Sequence, residues 1–242
     1  MKVLGIIPAR YASSRFPGKP LADIAGKPMI RRVYESALAT NLLSDCYVAT
    51  DDQRIYDCVL QFGGKVIMTA KEHRNGTERC AEAVRKLSGE FDVVVNIQGD
   101  EPVLQREHIS SLCSVLKNTN ADISSLCRLF SKEEDVSFPG YVKVVTDLNG
   151  RALYFSRAAI PFNRSGGEVA YSKHIGMYAF RPHIVQKLAA LKPAVLEMAE
   201  ELEQLRWLEH GFSIYIAKTT RDCDSVDYPE DIDRLVKKYF SP

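Results

Sequence analysis

Apolar residues recur along this chain in two rhythms. Short β-branched runs, "KVLGII" (2–7), "CYVAT" (46–50), "KVIMT" (65–69) and "DVVVNI" (92–97), read as strands covered on both faces. Between them, Ile30, Val33, Tyr34, Ala37 and Leu38 fall at the i, i+3, i+4, i+7 and i+8 positions of one helical stripe. Cys80, Ala83, Val84 and Leu87 repeat that spacing, as do Ile109, Leu112 and Leu116. Strand then helix, repeated, predicts right-handed βαβ units and a largely parallel sheet.

The rhythm changes after about residue 130. "YVKVVTDLNGRALYFSR" reads as a hairpin turning at Asn149-Gly150. "KHIGMYAF" (173–180) alternates, so His174, Gly176 and Tyr178 share one strand face. "AVLEMAEELEQLRWLEHG" predicts one helix with Val195, Met198, Leu202 and Leu205 on its buried side and Gly211 as its stop. "FSIYIAK" is a late strand. "YPEDIDRLVKKYF" is a closing helix, started by Pro229, with Glu230 and Asp231 as first-turn acids that favour the helix dipole. The expectation is a single α/β domain over 1–242, with a β-rich lobe at about 130–175.

Bulk composition narrows the chemistry. Over 242 residues the net charge is +1, which supports neither a nucleic-acid surface nor a membrane surface, so any anion chemistry is local. "MKVLGII" carries no cleavage-site pattern, and no apolar run approaches the ~20 residues of a membrane helix. Cytoplasmic residence is the expectation. The six cysteines form neither C-x-x-C pairs nor zinc spacing, and read as reduced packing residues.

Local anion chemistry has one obvious seat. "IIPARYASSRFPGKPL" (6–21) places Arg10, Arg15 and Lys19 in a loop directly after the first strand, at the carboxyl edge where α/β sheets bind ligands. Each opposite charge at ~4 Å contributes roughly 4 kcal/mol of gross attraction at an effective dielectric near 20, before desolvation. The loop is not a P-loop, since Pro20 stands where Ser or Thr is needed, and it is not G-x-G-x-x-G. Composition alone leaves a solvated basic loop open beside a phosphate site.

Other blocks admit two readings each. "VNIQGDEP" sets Asp100 just past a strand end, as a turn residue or as a Mg²⁺ ligand, with Glu101 as structural. "NGTER" opens a helix, with Thr77 as N-cap, Glu78 in the first turn and His73 nearby on the surface. Glu203 and Gln204 lie on the polar face of a helix, and Trp207 reads as core or dimer packing. No side chain stands out as a general base.

Eight ordered blocks together, "PARYASSRFPGKPL", "VATDD", "NGTER", "VNIQGDEP", "VKVVTDLNGRALYFSRAAIP", "HIGMYAFR", "LEQLRWLE" and "VDYPEDI", resemble the 3-deoxy-manno-octulosonate (Kdo) cytidylyltransferases, or CMP-Kdo synthetases. The likeness runs nearly end to end and is weakest at 163–172. It implies a Rossmann-like, mostly parallel mixed sheet of the nucleotide-diphosphosugar transferase-like class, with the β-rich excursion making a homodimer contact. It implies CMP transfer from CTP to the anomeric hydroxyl of Kdo, for lipopolysaccharide synthesis. Arg10, Arg15 and Lys19 would hold the triphosphate, and Arg79 and Gln98 would contact the nucleotide. Asp100 and Asp227 would bind Mg²⁺, two carboxylates that only the resemblance joins. His174, Tyr178, Glu203 and Gln204 would line the sugar pocket. Arg157 would meet the sugar carboxylate or brace the fold. The rivals are the same reaction on 8-amino-8-deoxy-Kdo, a sialic acid or an alcohol phosphate, and a non-catalytic nucleotide-binding regulator.

Overall fold

A computed structural model describes residues 1–12 and 16–240. Its contacts divide the chain into two units, residues 1–109 with 223–242, and residues 110–222. The β-rich segment expected at about 130–175 lies wholly within the second.

In the first unit the apolar runs become a parallel sheet. β1 (Val3–Ala9) is buried along nearly its whole length, as a strand covered on both faces must be. A small hairpin, β2 (Asp23–Ile24) and β3 (Lys27–Pro28), precedes α1 (Met29–Ala39). α1 buries Met29, Ile30, Val33, Tyr34 and Ala37, while Leu38, expected on the same stripe, is exposed. β4 (Asp45–Thr50) pairs with β1, and β5 (Val66–Met68) with β4, both parallel. Between them runs α2 (Gln53–Gln61), capped by Asp52.

α3 (Gly76–Lys86) begins two residues earlier than expected. Asn75, not Thr77, accepts the Glu78 N–H at 2.9 Å, and Thr77 is buried inside the first turn. His73 is half-buried against Glu82 rather than on the surface. β6 (Val93–Asn96) pairs with β1 on its other side, again parallel. Strand order in this unit is therefore β6-β1-β4-β5. α4 (Arg106–Asn118) follows, with all but its first four residues in the second unit, and is buried through Ile109, Leu112 and Leu116.

In the second unit β7 (Ile123–Leu129), β8 (Lys143–Thr146), β9 (Ala152–Ser156) and β10 (Ser172–Phe180) are mainly antiparallel. The β8–β9 hairpin turns at residues 147–150, with the Asp147 carboxylate accepting the Asn149 and Arg151 N–H groups and Gly150 at φ +83°. β10 bulges between Ile175 and Tyr178. His174 and Tyr178 still share a face, but Gly176 falls in the bulge instead of beside them. α5 (Pro182–Ala189) leads to α6 (Val195–Glu200) and α7 (Glu203–Glu209), and β11 (Ile214–Lys218) adds parallel to β7.

The single helix expected over 194–211 is thus two. Glu201 sits at φ +51° between them. Remote groups take the helix end apart. The Glu200 carboxylate accepts from Ser156 Oγ at 2.6 Å and the Arg157 N–H at 2.8 Å, and the Arg157 side chain donates to the Glu200 and Glu201 carbonyls. Val195 and Met198 are exposed as a result, while Leu202 and Leu205 keep the expected burial. Lys143 is fully buried, its ammonium on the carbonyls of Phe138, Tyr141 and Arg157, and burial lowers its pKa.

α8 (Asp231–Tyr239) closes the chain in the first unit. Four cysteines, Cys46, Cys80, Cys113 and Cys127, are buried, and burial pushes Cys46 up to about 12 and Cys113 up to about 11. Among the described residues no helix is long and apolar enough to cross a membrane.

Candidate active site

β1 ends at Ala9, and the chain then enters the basic loop. Gly18 closes it, its N–H donating to the Tyr11 carbonyl at 2.9 Å, with a left-handed φ of +74° and the Tyr11 ring packed against it. A cavity of about 390 Å³ opens here, walled by Pro8, Arg10, Lys19, Gln98, Gly99 and Asp100 among others. Gly99 is required by close approach, since a Cβ there would stand 2.7 Å from the Pro8 carbonyl oxygen. Four of the sequence-predicted residues, Arg10, Lys19, Gln98 and Asp100, therefore face one space. Arg15 lies outside the described residues.

Charge is arranged unevenly around this space. The Lys19 ammonium donates to Asp100 Oδ2 at 2.6 Å and to the Val226 carbonyl at 2.9 Å. The Val226 N–H in turn donates to the Asp100 carbonyl at 3.0 Å. These bonds set Val226, the residue before Asp227, against Asp100 across 126 positions of sequence (226 − 100). Asp231 holds the same turn. Its Oδ2 accepts the N–H groups of Asp227 and Tyr228, each at 2.9 Å. Sequence reasoning took Asp231 for a dipole acid only.

Arg79 is fully buried and does not wall the cavity. Its guanidinium donates to Thr69 Oγ1 at 2.5 Å and lies 3.3 Å from Asp51 Oδ1. Burial lowers its pKa, Asp51 opposes the shift, and the neighbouring Arg10 adds to it. Arg10 Nη2 is itself buried with no hydrogen-bond partner among the described residues. Two close guanidiniums with one carboxylate leave a local positive excess suited to an anion. Asp51 and Thr69 were not singled out from sequence, though "VATDD" was a recognised block.

Mg²⁺ accepts one or two carboxylates and completes its shell with phosphate oxygens and water. Among the described residues no group of three or more His, Cys, Asp or Glu could hold a metal. The Asp100 carboxylate on the wall of a cavity shared with Arg10 and Lys19 fits an ion that arrives with a polyphosphate.

In the second unit two of the predicted sugar residues, His174 and Tyr178, sit in an aromatic cluster. The His174 ring packs edge-on against Phe155 at 4.9 Å and lies 5.6 Å from Tyr178, which meets Trp207 at 4.9 Å. His174 Nε2 is 2.8 Å from Ser125 Oγ, and Ser125 Oγ donates to the Met177 carbonyl of the bulge at 2.9 Å. Burial drives the His174 pKa down to about 3, so the imidazole is neutral. Tyr178 is raised by burial and by Glu203. Gln204 is buried, and Glu203 Oε1 accepts from Arg206 at 3.1 Å. Arg157 donates to the carbonyls of Pro139, Glu200 and Glu201, which is the bracing alternative.

A cytidylyltransferase family model matches residues 4–219. The 3-deoxy-manno-octulosonate cytidylyltransferase of Cytophaga hutchinsonii is 47% identical over 97% of this chain and 96% of its own. That of Syntrophobacter fumaroxidans is 48% identical over 98% and 96%. The chain belongs to the 3-deoxy-manno-octulosonate cytidylyltransferase family. A CMP:2-keto-3-deoxy-manno-octonic acid synthetase solved in complex with CTP is 40% identical, covers 98% of both chains and superposes with a TM-score of 0.92. The cytidylyltransferase fold is thus the mixed α/β class expected from the rhythm of the sequence.

Proposed function

We propose that this cytidylyltransferase transfers CMP from CTP to the anomeric hydroxyl of Kdo, giving CMP-Kdo and pyrophosphate. The carrying observation is the cavity at the end of β1, where Arg10, Lys19, Gln98 and Asp100 converge in a member of this family. The sugar oxygen attacks the α-phosphorus. The bond from that phosphorus to the bridging oxygen of the β-phosphate breaks, and the hydroxyl proton passes to solvent. Such a displacement needs positioning and charge stabilisation more than covalent help. Arg10 and Lys19 neutralise the triphosphate and the departing pyrophosphate, Gln98 contacts the nucleotide, and buried Arg79 adds positive potential behind Arg10. Asp100 and Asp227 would hold Mg²⁺, which polarises the α-phosphate and acidifies the attacking hydroxyl when bound.

For the sugar, the proposal assigns His174, Tyr178, Glu203 and Gln204 of the second unit. Neutral imidazole, phenol, carboxylate and amide suit a polyhydroxy acid, since together they donate to and accept from hydroxyls. Arg157 braces the α6–α7 break. The product serves lipopolysaccharide synthesis in the cytoplasm, and a homodimer forms through the second unit. Its exposed Leu148, Leu153 and Phe162 support that contact. The test is ³¹P NMR of a reaction with CTP, Kdo and Mg²⁺. A new phosphodiester resonance in step with pyrophosphate is expected. Pyrophosphate with free CMP alone would contradict transfer to sugar.

A further inference from the structure

We propose that Lys19 and a divalent cation compete for the Asp100 carboxylate, so that the metal is admitted only when a triphosphate draws Lys19 away. The inference rests on the reading of Asp100 as a metal ligand. The Lys19 ammonium already holds Asp100 Oδ2 at 2.6 Å, and the Val226 carbonyl, at 2.9 Å, fixes it there. The two side chains are only 16% and 28% exposed, so solvent and salt screen the pair weakly. A divalent ion approaching Asp100 in the nucleotide-free protein meets a positive charge bonded to its ligand. Too few carboxylates stand nearby to offset that repulsion, because no group of three or more His, Cys, Asp or Glu able to hold a metal exists among the described residues.

A triphosphate reverses the balance. Its oxygens offer Lys19 more negative charge than one carboxylate does, and the four-carbon stem lets the ammonium move along the cavity wall it shares with Arg10. Lys19 then leaves Asp100 and the residue preceding Asp227 together, and the phosphates supply the oxygens the metal lacks. Nucleotide and metal thereby tighten each other's binding by the same factor.

The test counts bound Mn²⁺ by electron paramagnetic resonance, on the full chain, first without nucleotide. K19Q, with K19M as its check, should bind Mn²⁺ on the order of tenfold more tightly than the natural protein. R10Q, which removes a charge from the same cavity but no bond to Asp100, should gain clearly less, and D100N should abolish the K19Q gain. Equal affinity in K19Q and the natural protein, or equal gains in K19Q and R10Q, would overturn the competition. The second arm adds a non-hydrolysable CTP analogue. If D100N then still binds Mn²⁺ as tightly as the natural protein, Asp100 is not a ligand, and it is the metal reading that fails.

Discussion

Asp100 and His174 illustrate how burial decides what a side chain does. Asp100 keeps partial exposure toward the cavity and can meet a ligand, and its neighbour Glu101 is buried. Asp100→Ala should fold normally and lose turnover by roughly a hundredfold or more, as removal of a group that stabilises transition-state charge does. Near-normal turnover in a steady-state assay would remove it from the site. His174 is titrated out of its usual range, down to about 3. Its folded form stays neutral where the unfolded imidazole, near 6.5, takes a proton. Between those values the unfolded state binds more protons, so stability falls as pH falls. His174→Gln should reduce the slope of unfolding free energy against pH by up to about 1.4 kcal/mol per unit between pH 4 and 6. Urea unfolding at several pH values checks this, and an unchanged slope would mean the imidazole is not held neutral.

Whole elements show where sequence periodicity suffices and where it stops. β1, β4 and β6 are legible because both faces are buried, and α1 and α3 because one stripe is. The Asn75 cap was legible too, since Asn75 and Glu78 stand at capping spacing, but Thr77 drew the assignment. Gly176 inside a strand was a usable bulge signal. The α6–α7 break had no local signal, because Ser156 and Arg157, more than forty residues away, cause it. Arg157→Ala should therefore cost about 1–3 kcal/mol in denaturant unfolding, through carbonyls left without their donor. A loss within error would mean that α6 ends for another reason.

At the start of α8, Asp231 folds back on the turn that carries Asp227. The sequence shows an acid in a first turn but not the direction its carboxylate faces. Asp231→Ala should raise the Mg²⁺ concentration needed for half-maximal turnover, while Asp231→Asn, still an acceptor for both N–H groups, should restore it. Equal behaviour of the two variants would place the effect in charge rather than in positioning.

For the molecule as a whole, eight ordered blocks identified the family from sequence, and relatives matched over nearly full length agree. The division at residues 109–110 and 222–223 was not legible, since the hydrophobic pattern does not show that Val226 meets Asp100. Exposed Leu148, Leu153 and Phe162 lead to an expected dimer by sedimentation at micromolar concentration, and Phe162→Glu should shift it toward monomer. The central claim, CMP transfer to Kdo, is tested most directly by pyrophosphate release from CTP and Mg²⁺ with Kdo, 8-amino-8-deoxy-Kdo, a sialic acid or no sugar. Release that is fastest with Kdo and absent without sugar is the predicted result. Release confined to another sugar, or none from folded protein that binds CTP, would contradict it.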